Sequence, residues 1–94
     1  MNATLFLIIK KEWFDKILSG EKLIEYREVK KYYLAKFTDK HYDKIILQNG
    51  YAKGSRRLEA DIQRISIESV KIPFFGSIER ELYCIHLFNP RQTR

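Results

Sequence analysis

The fold class these 94 residues predict is a small α+β domain: a five-stranded mixed β-barrel with one N-terminal helix covering an opening. Three observations lead there. Apolar runs of strand length recur along the chain, and one early stretch alone has a clear helical period. The longest run, Arg56 to Val70, changes parity halfway, as a strand does when it bends round a small barrel. Residues 1–94 read as a single domain with no linker, repeat or low-complexity segment.

Each element has its own signal. "TLFLII", residues 4 to 9, is a short apolar run bounded by Lys10 and reads as a buried strand. In "KKEWFDKILSG" the period changes: Trp13 and Ile17, and Phe14 and Leu18, are four apart, which makes one apolar stripe of a short helix. Glu12 and Asp15 come early and Lys16 late, as the helix dipole favours, and Gly20 stands where a left-handed cap ends the helix. "KLIEYREV" restarts as a strand. "KKYYLAKF" fits a helical turn or an irregular connection equally well. "YDKIILQN" is the third strand, closed by a turn at Asn49-Gly50 and Gly54.

The long run that follows is "RRLEADIQRISIESV". Leu58, Ala60 and Ile62 share one parity, and Ile65 and Ile67 the other. One extra residue near Gln63-Arg64 restores the alternation, so a β-bulge is expected there. "IPFFGS" reads as a loop, with Phe74 or Phe75 plugging the core. "ELYCIHLF" is the last strand, and "NPRQTR" a frayed end.

Composition narrows the functional classes. The chain is 45% hydrophobic and 32% charged, the balance of a globular protein rather than a disordered one. The apolar run near the N-terminus is too short to span a membrane, and no signal-peptide pattern follows it. A single cysteine, Cys84, excludes an internal disulfide and points to a reducing compartment, the cytoplasm. Eighteen basic residues against twelve acidic ones give +6, and each half of the chain, divided after Leu47, carries +3. A spread excess of this size suits an anionic partner such as a nucleic-acid backbone, and it also serves simple solubility.

The segment "SGEKLIEYR" holds the candidate site. Gly20 lets the chain leave the helix sharply and places Lys22 at the mouth of the next strand. Glu25 and Arg27 are two apart, so they share a strand face and their side chains can bridge. Lys22 has the opposite parity and joins them only if it belongs to the turn. Lys and Arg would then meet an anionic group, while Glu25 orients Arg27 or accepts from a base's exocyclic amine. The same residues would also serve as a charge-paired strand holding the helix, with no ligand at all.

These residues carry a resemblance. Gly20, Lys22, Glu25 and Arg27 match the G-x-K-x-x-[E/T]-x-R signature of the ASCH family, in a helix-turn-strand setting similar to that family's. With the element order, "YDKIILQNG" and "LYCIHLF", the likeness covers most of the chain. It implies a PUA-like barrel and binding of RNA or a modified nucleotide in a cleft around Lys22, Glu25 and Arg27. It also implies an alternative, since some members are hydrolases: amidohydrolases acting on modified cytidine, or ribonucleases. Lys22 matches the lysine of the amidohydrolases. Their threonine, three residues on, is Glu25 here, and the helical insertion that carries their distant acid is replaced by the short "VKIPFFGSIERE". These departures count against amidohydrolase activity. If there is chemistry, Lys22, Glu25 and Arg27 are its candidate catalytic residues.

Further contacts to nucleic acid are expected outside the motif. In "QNGYAKGSRR", Gln48 and Asn49 have base-reading amides, Tyr51 a stacking ring, and Lys53, Arg56 and Arg57 phosphate-binding cations. A solvated hairpin turn would have the same composition. Lys10 and Lys11 add cations before the helix, and Tyr26, Tyr32 and Tyr33 add rings. Cys84 and His86, two apart, lie roughly 6.6 Å from each other along a strand, too far for a direct nucleophile–base bond. His41 is the only other histidine, which leaves a zinc site without evident ligands; no metal or cofactor is expected. A third reading is a non-catalytic domain that binds another protein, whose identity the sequence does not show.

Overall fold

The computed structural model describes residues 3–72 and 78–94. Its elements run β1 (Ala3–Ile9), α1 (Lys11–Leu18), β2 (Ile24–Glu28), α2 (Lys31–Phe37), β3 (Tyr42–Asn49), β4 (Arg57–Ile72) and β5 (Ile78–Gln92). The five strands form one mixed sheet in the order β1-β3-β4-β5-β2, in which β1 pairs parallel with β3 and every other pairing is antiparallel.

The expected closed barrel does not form. β1 and β2 are the two edges of an open sheet, and no backbone ladder joins them among the described residues. Closure depends on a register between the first and last strands of the order, which local sequence patterns do not encode. A second correction concerns helices: there are two, because "KKYYLAKF" is α2. Phe37 alone of α2 is buried. It holds the helix to the sheet by packing edge to face against Tyr83 of β5 (ring centroids 4.8 Å apart), and Tyr33 stacks on it one turn back within the helix (5.7 Å).

β1 is also less buried than its apolar run predicts. Leu5, Leu7 and Ile9 point into the core, whereas Phe6 is 39% exposed, the alternation of an edge strand with one solvated face. On α1, Phe14 and Ile17 are completely buried against β3 and β5, with Trp13 and Leu18 half-buried beside them. Gly20 takes φ +83°, and its N–H donates to the Ile17 carbonyl, ending α1 as the sequence predicts. Gly50 and Gly54, both near φ +82°, give the turn after β3 its permissive backbone (+82° and +81°).

β4 contains the expected bulge: its register against β5 slips between Ile62 and Arg64, leaving Gln63 as the extra residue. A second slip, between Glu59 and Asp61, increases the bend. Leu58, Ala60 and Ile62 are buried, and beyond the slip Ile65 pairs with buried Ile85.

The C-terminal end is not frayed. β5 continues to Gln92, the Arg57 N–H donates to the Arg94 carbonyl, and the Thr93 N–H donates to the Arg57 carbonyl. Arg91 binds Glu59 and Asp61 across the strands. These partners are thirty or more residues away, so they leave no local signal. The expected loop 72–77, with Phe74 and Phe75, lies outside the described residues except for Ile72, the last residue of β4. No helix among the described residues is long and apolar enough to cross a membrane.

Candidate functional site

Gly20 ends α1, and the chain crosses Glu21 to Leu23 before β2 begins at Ile24. Lys22 therefore belongs to the turn, the condition under which it can meet Glu25 and Arg27. It does: Lys22 Nζ donates to Glu25 Oε1 at 3.3 Å. From the other side, Arg27 Nε (3.2 Å) and Nη2 (2.7 Å) both donate to Glu25 Oε2. Glu25 is only 5% exposed. An isolated carboxylate at that depth would cost several kcal/mol, and three charge-assisted N–H donors offset it.

Arg27 is the hub. Nη2 also donates to the Ile8 carbonyl at 3.1 Å, and Nη1 to the Tyr33 hydroxyl at 2.9 Å. One guanidinium thus ties β2 to β1 and to α2. Burial by itself pulls the Arg27 pKa down. The Glu25 carboxylate and the Tyr33 hydroxyl outweigh it, so the net shift is upward and the cation is secure.

These groups line a groove of about 790 Å³ whose walls include Ile8, Lys10, Trp13, Tyr26, Lys30 and Tyr33. Lys22 Nζ lies 5.0 Å from the Trp13 ring centre and 5.4 Å from that of Tyr26, so an aromatic ring flanks the cation from α1 and another from β2. Lys30 Nζ lies 5.6 Å from the Tyr33 ring. Contacts of this type contribute about 0.5–2 kcal/mol each and hold the long lysine side chains in place. Burial first, then the nearby Cys84 and Glu68, raise the Tyr26 phenol above its ordinary pKa. Tyr26 therefore presents a neutral ring and hydroxyl.

The other sequence-predicted residues sort by what holds them. Lys10 is exposed and lines the groove. Lys11 is exposed and pairs with Asp15 at 2.9 Å. Gln48 is buried and engaged at both ends of its amide: Nε2 donates to the Gly50 carbonyl, and Oε1 accepts from Arg57 Nε, both at 2.8 Å. Asn49 is half-buried, and its N–H donates to the Arg56 carbonyl. Arg56 lies over the Phe14 ring and binds Asp15 at 3.1 Å, while Arg57 lies over Phe6. This half of the turn clasps β1 and α1. Tyr51, 88% exposed, and Lys53 stand free at its tip.

Sequence reasoning missed Trp13 as a groove wall, since its four-residue spacing to Ile17 marks it as core. It also missed Lys30 and the Ile8 carbonyl, which only the fold brings near Arg27. Away from the groove, His86 Nε2 lies 2.7 Å from Glu68 Oε2, and the Cys84 thiol points to the Leu82 carbonyl. No group of three or more His, Cys, Asp or Glu side chains placed to hold a metal occurs among the described residues. Comparison with family models, with curated proteins and with solved structures finds no match to this chain.

Proposed function

We propose that the groove between α1, β2 and α2 binds RNA or a modified nucleotide, one unpaired nucleotide at a time. The observation that carries the reading is the pairing of aromatic and cationic walls around Lys22. Trp13 and Tyr26 supply aromatic walls on which a base stacks by displacing Lys22 from their rings, and Lys10 and Lys30 have no carboxylate partner among the described residues. Rings recognise the π-face of an unpaired base, and free cations at the rim suit its phosphate. The net charge of +6 favours the same class of partner. Glu25 and Arg27 frame the groove, and an exocyclic amine reaching Glu25 would replace the Lys22 bond. The ASCH-like signature of Gly20, Lys22, Glu25 and Arg27 agrees with this reading, although the sheet is open.

Hydrolysis through Lys22 has weaker support. A lysine nucleophile or base needs a free amine, and every contact of Nζ here is one that an ammonium makes. The test compares the parent with Lys22→Ala on labelled single-stranded RNA, duplex RNA and acylated nucleosides, following both binding and products. Salt-sensitive binding to single strands without turnover supports the proposal. Lys22-dependent product would make the protein an enzyme instead, and no binding to any of the three would refute the proposal.

A further inference from the structure

On the far side of α2 the sheet leaves a long strand edge uncovered. β3 pairs with β4 only as far as Asp61, opposite Lys44, whereas β4 continues to Ile72. From Ile62 onward, one edge of β4 is bonded to β5, and the other has no strand against it among the described residues. The end of α2 and the start of β3 stand off from this edge and leave a second cavity, about 450 Å³. Its apolar walls are Phe37, Ile65 and Tyr83, and its cations are Lys40 and Arg64. No carboxylate lines it. Glu68, the one acid of β4 beyond Asp61, accepts from Ser66 and pairs with His86.

We infer that the free edge of β4 takes an extended, acidic peptide segment of another protein as an added strand, with the second cavity receiving its apolar side chains. An uncovered edge presents N–H and C=O groups in alternation, and a peptide backbone satisfies both kinds. A nucleic-acid backbone does not repeat a donor and an acceptor at the spacing of a strand edge, whereas a peptide backbone does, so the edge favours peptide. The bulge at Gln63 begins the exposed stretch and turns it away from β3. Ile65 and Ile67 project on the face that carries Tyr83 and Ile85, so alternate apolar residues of an added strand continue that face. Arg64 projects to the other face beside His86, and Lys40 lines the cavity. Acidic residues on the intervening positions meet these cations.

The probe is a capped, fluorescein-labelled peptide of alternating glutamate and valine, about eight residues long to match the edge at roughly 3.3 Å per residue. Fluorescence anisotropy with the full chain should show saturable binding. The same peptide N-methylated at alternate backbone positions should lose binding in the phase that removes the N–H groups facing the edge and keep it in the other phase. Lys40→Gln combined with Arg64→Gln, both at exposed positions and with the fold checked by circular dichroism, should weaken binding about tenfold or more. Equal binding of both N-methylated peptides overturns the inference, as does no binding of the parent peptide. Displacement by an oligonucleotide that itself binds in an Arg64-dependent way assigns the slot to nucleic acid. Concentration-dependent dimerisation abolished by the same double substitution assigns it to a second copy. Either result overturns the peptide assignment.

Discussion

Arg27 Nη2 donates to Glu25 Oε2 at 2.7 Å and to the Ile8 carbonyl at 3.1 Å. A single side chain therefore bridges the two edge strands that the backbone leaves unjoined. The group that frames the candidate groove also keeps the edges of the sheet together, so stability and binding have to be separated by experiment.

Removing Arg27 leaves the Glu25 carboxylate buried with Lys22 as its remaining partner. Arg27→Ala should cost about 3–5 kcal/mol in denaturant unfolding, a large part of the stability of a domain this size. Replacing the pair together, Glu25→Leu with Arg27→Met, should recover most of that loss, because no buried charge is left unpaired. A double variant as unstable as Arg27→Ala would contradict the pairing.

The basic residues should divide by role. Lys10, exposed on the groove rim, should set affinity: Lys10→Ala should weaken RNA binding and lower the salt slope by about 0.7, leaving unfolding unchanged. Arg57 is committed to Gln48 and to the ring of Phe6. Arg57→Ala should instead destabilise the fold by about 1 kcal/mol and leave the salt slope alone. Reversed outcomes would place the phosphate contacts on the turn.

Glu68 has a lowered pKa, first through the Ser66 hydroxyl and then through His86. A carboxylate depressed in the folded state contributes stability above its unfolded pKa and loses it as pH falls through the folded one. Unfolding midpoints measured from neutral pH down through the carboxylate range should thus fall less steeply in Glu68→Gln than in the parent. Parallel curves would show that the Ser66 and His86 contacts contribute nothing to acid stability.

Burial first, and Glu68 second, raise the Cys84 thiol above its ordinary pKa, and Cys84 is 2% exposed. Its reaction with a disulfide reagent at mildly alkaline pH should be at least about a hundredfold slower in the native protein than in denaturant. Comparable rates would mean that β5 opens freely at this position.

What could be read from the sequence follows the range of each interaction. Glu25 and Arg27 stand two apart on one strand, and the parity change around Gln63 is local, so both were legible. Lys22 was legible as a conditional, because Gly20 sets where the turn begins. α2 was ambiguous: of its rings and aliphatics only Phe37 is buried, too little to show a helical period. Phe6 and Ile8 disguised the edge strand β1 as a core strand, since apolar residues also occupy its less buried positions. Open sheet or barrel could not be decided locally, because Arg27 meets Ile8 across nineteen positions of sequence.

Trp13 is the only tryptophan in the chain, and it forms a wall of the groove. Its fluorescence is therefore the most direct reporter of the proposed binding. Titration with a short single-stranded RNA should quench it saturably, less at higher salt, and should leave it unchanged in the folded Glu25→Leu/Arg27→Met variant. Unchanged emission in the parent, or equal quenching in that variant, would contradict a nucleotide site at Lys22, Glu25 and Arg27.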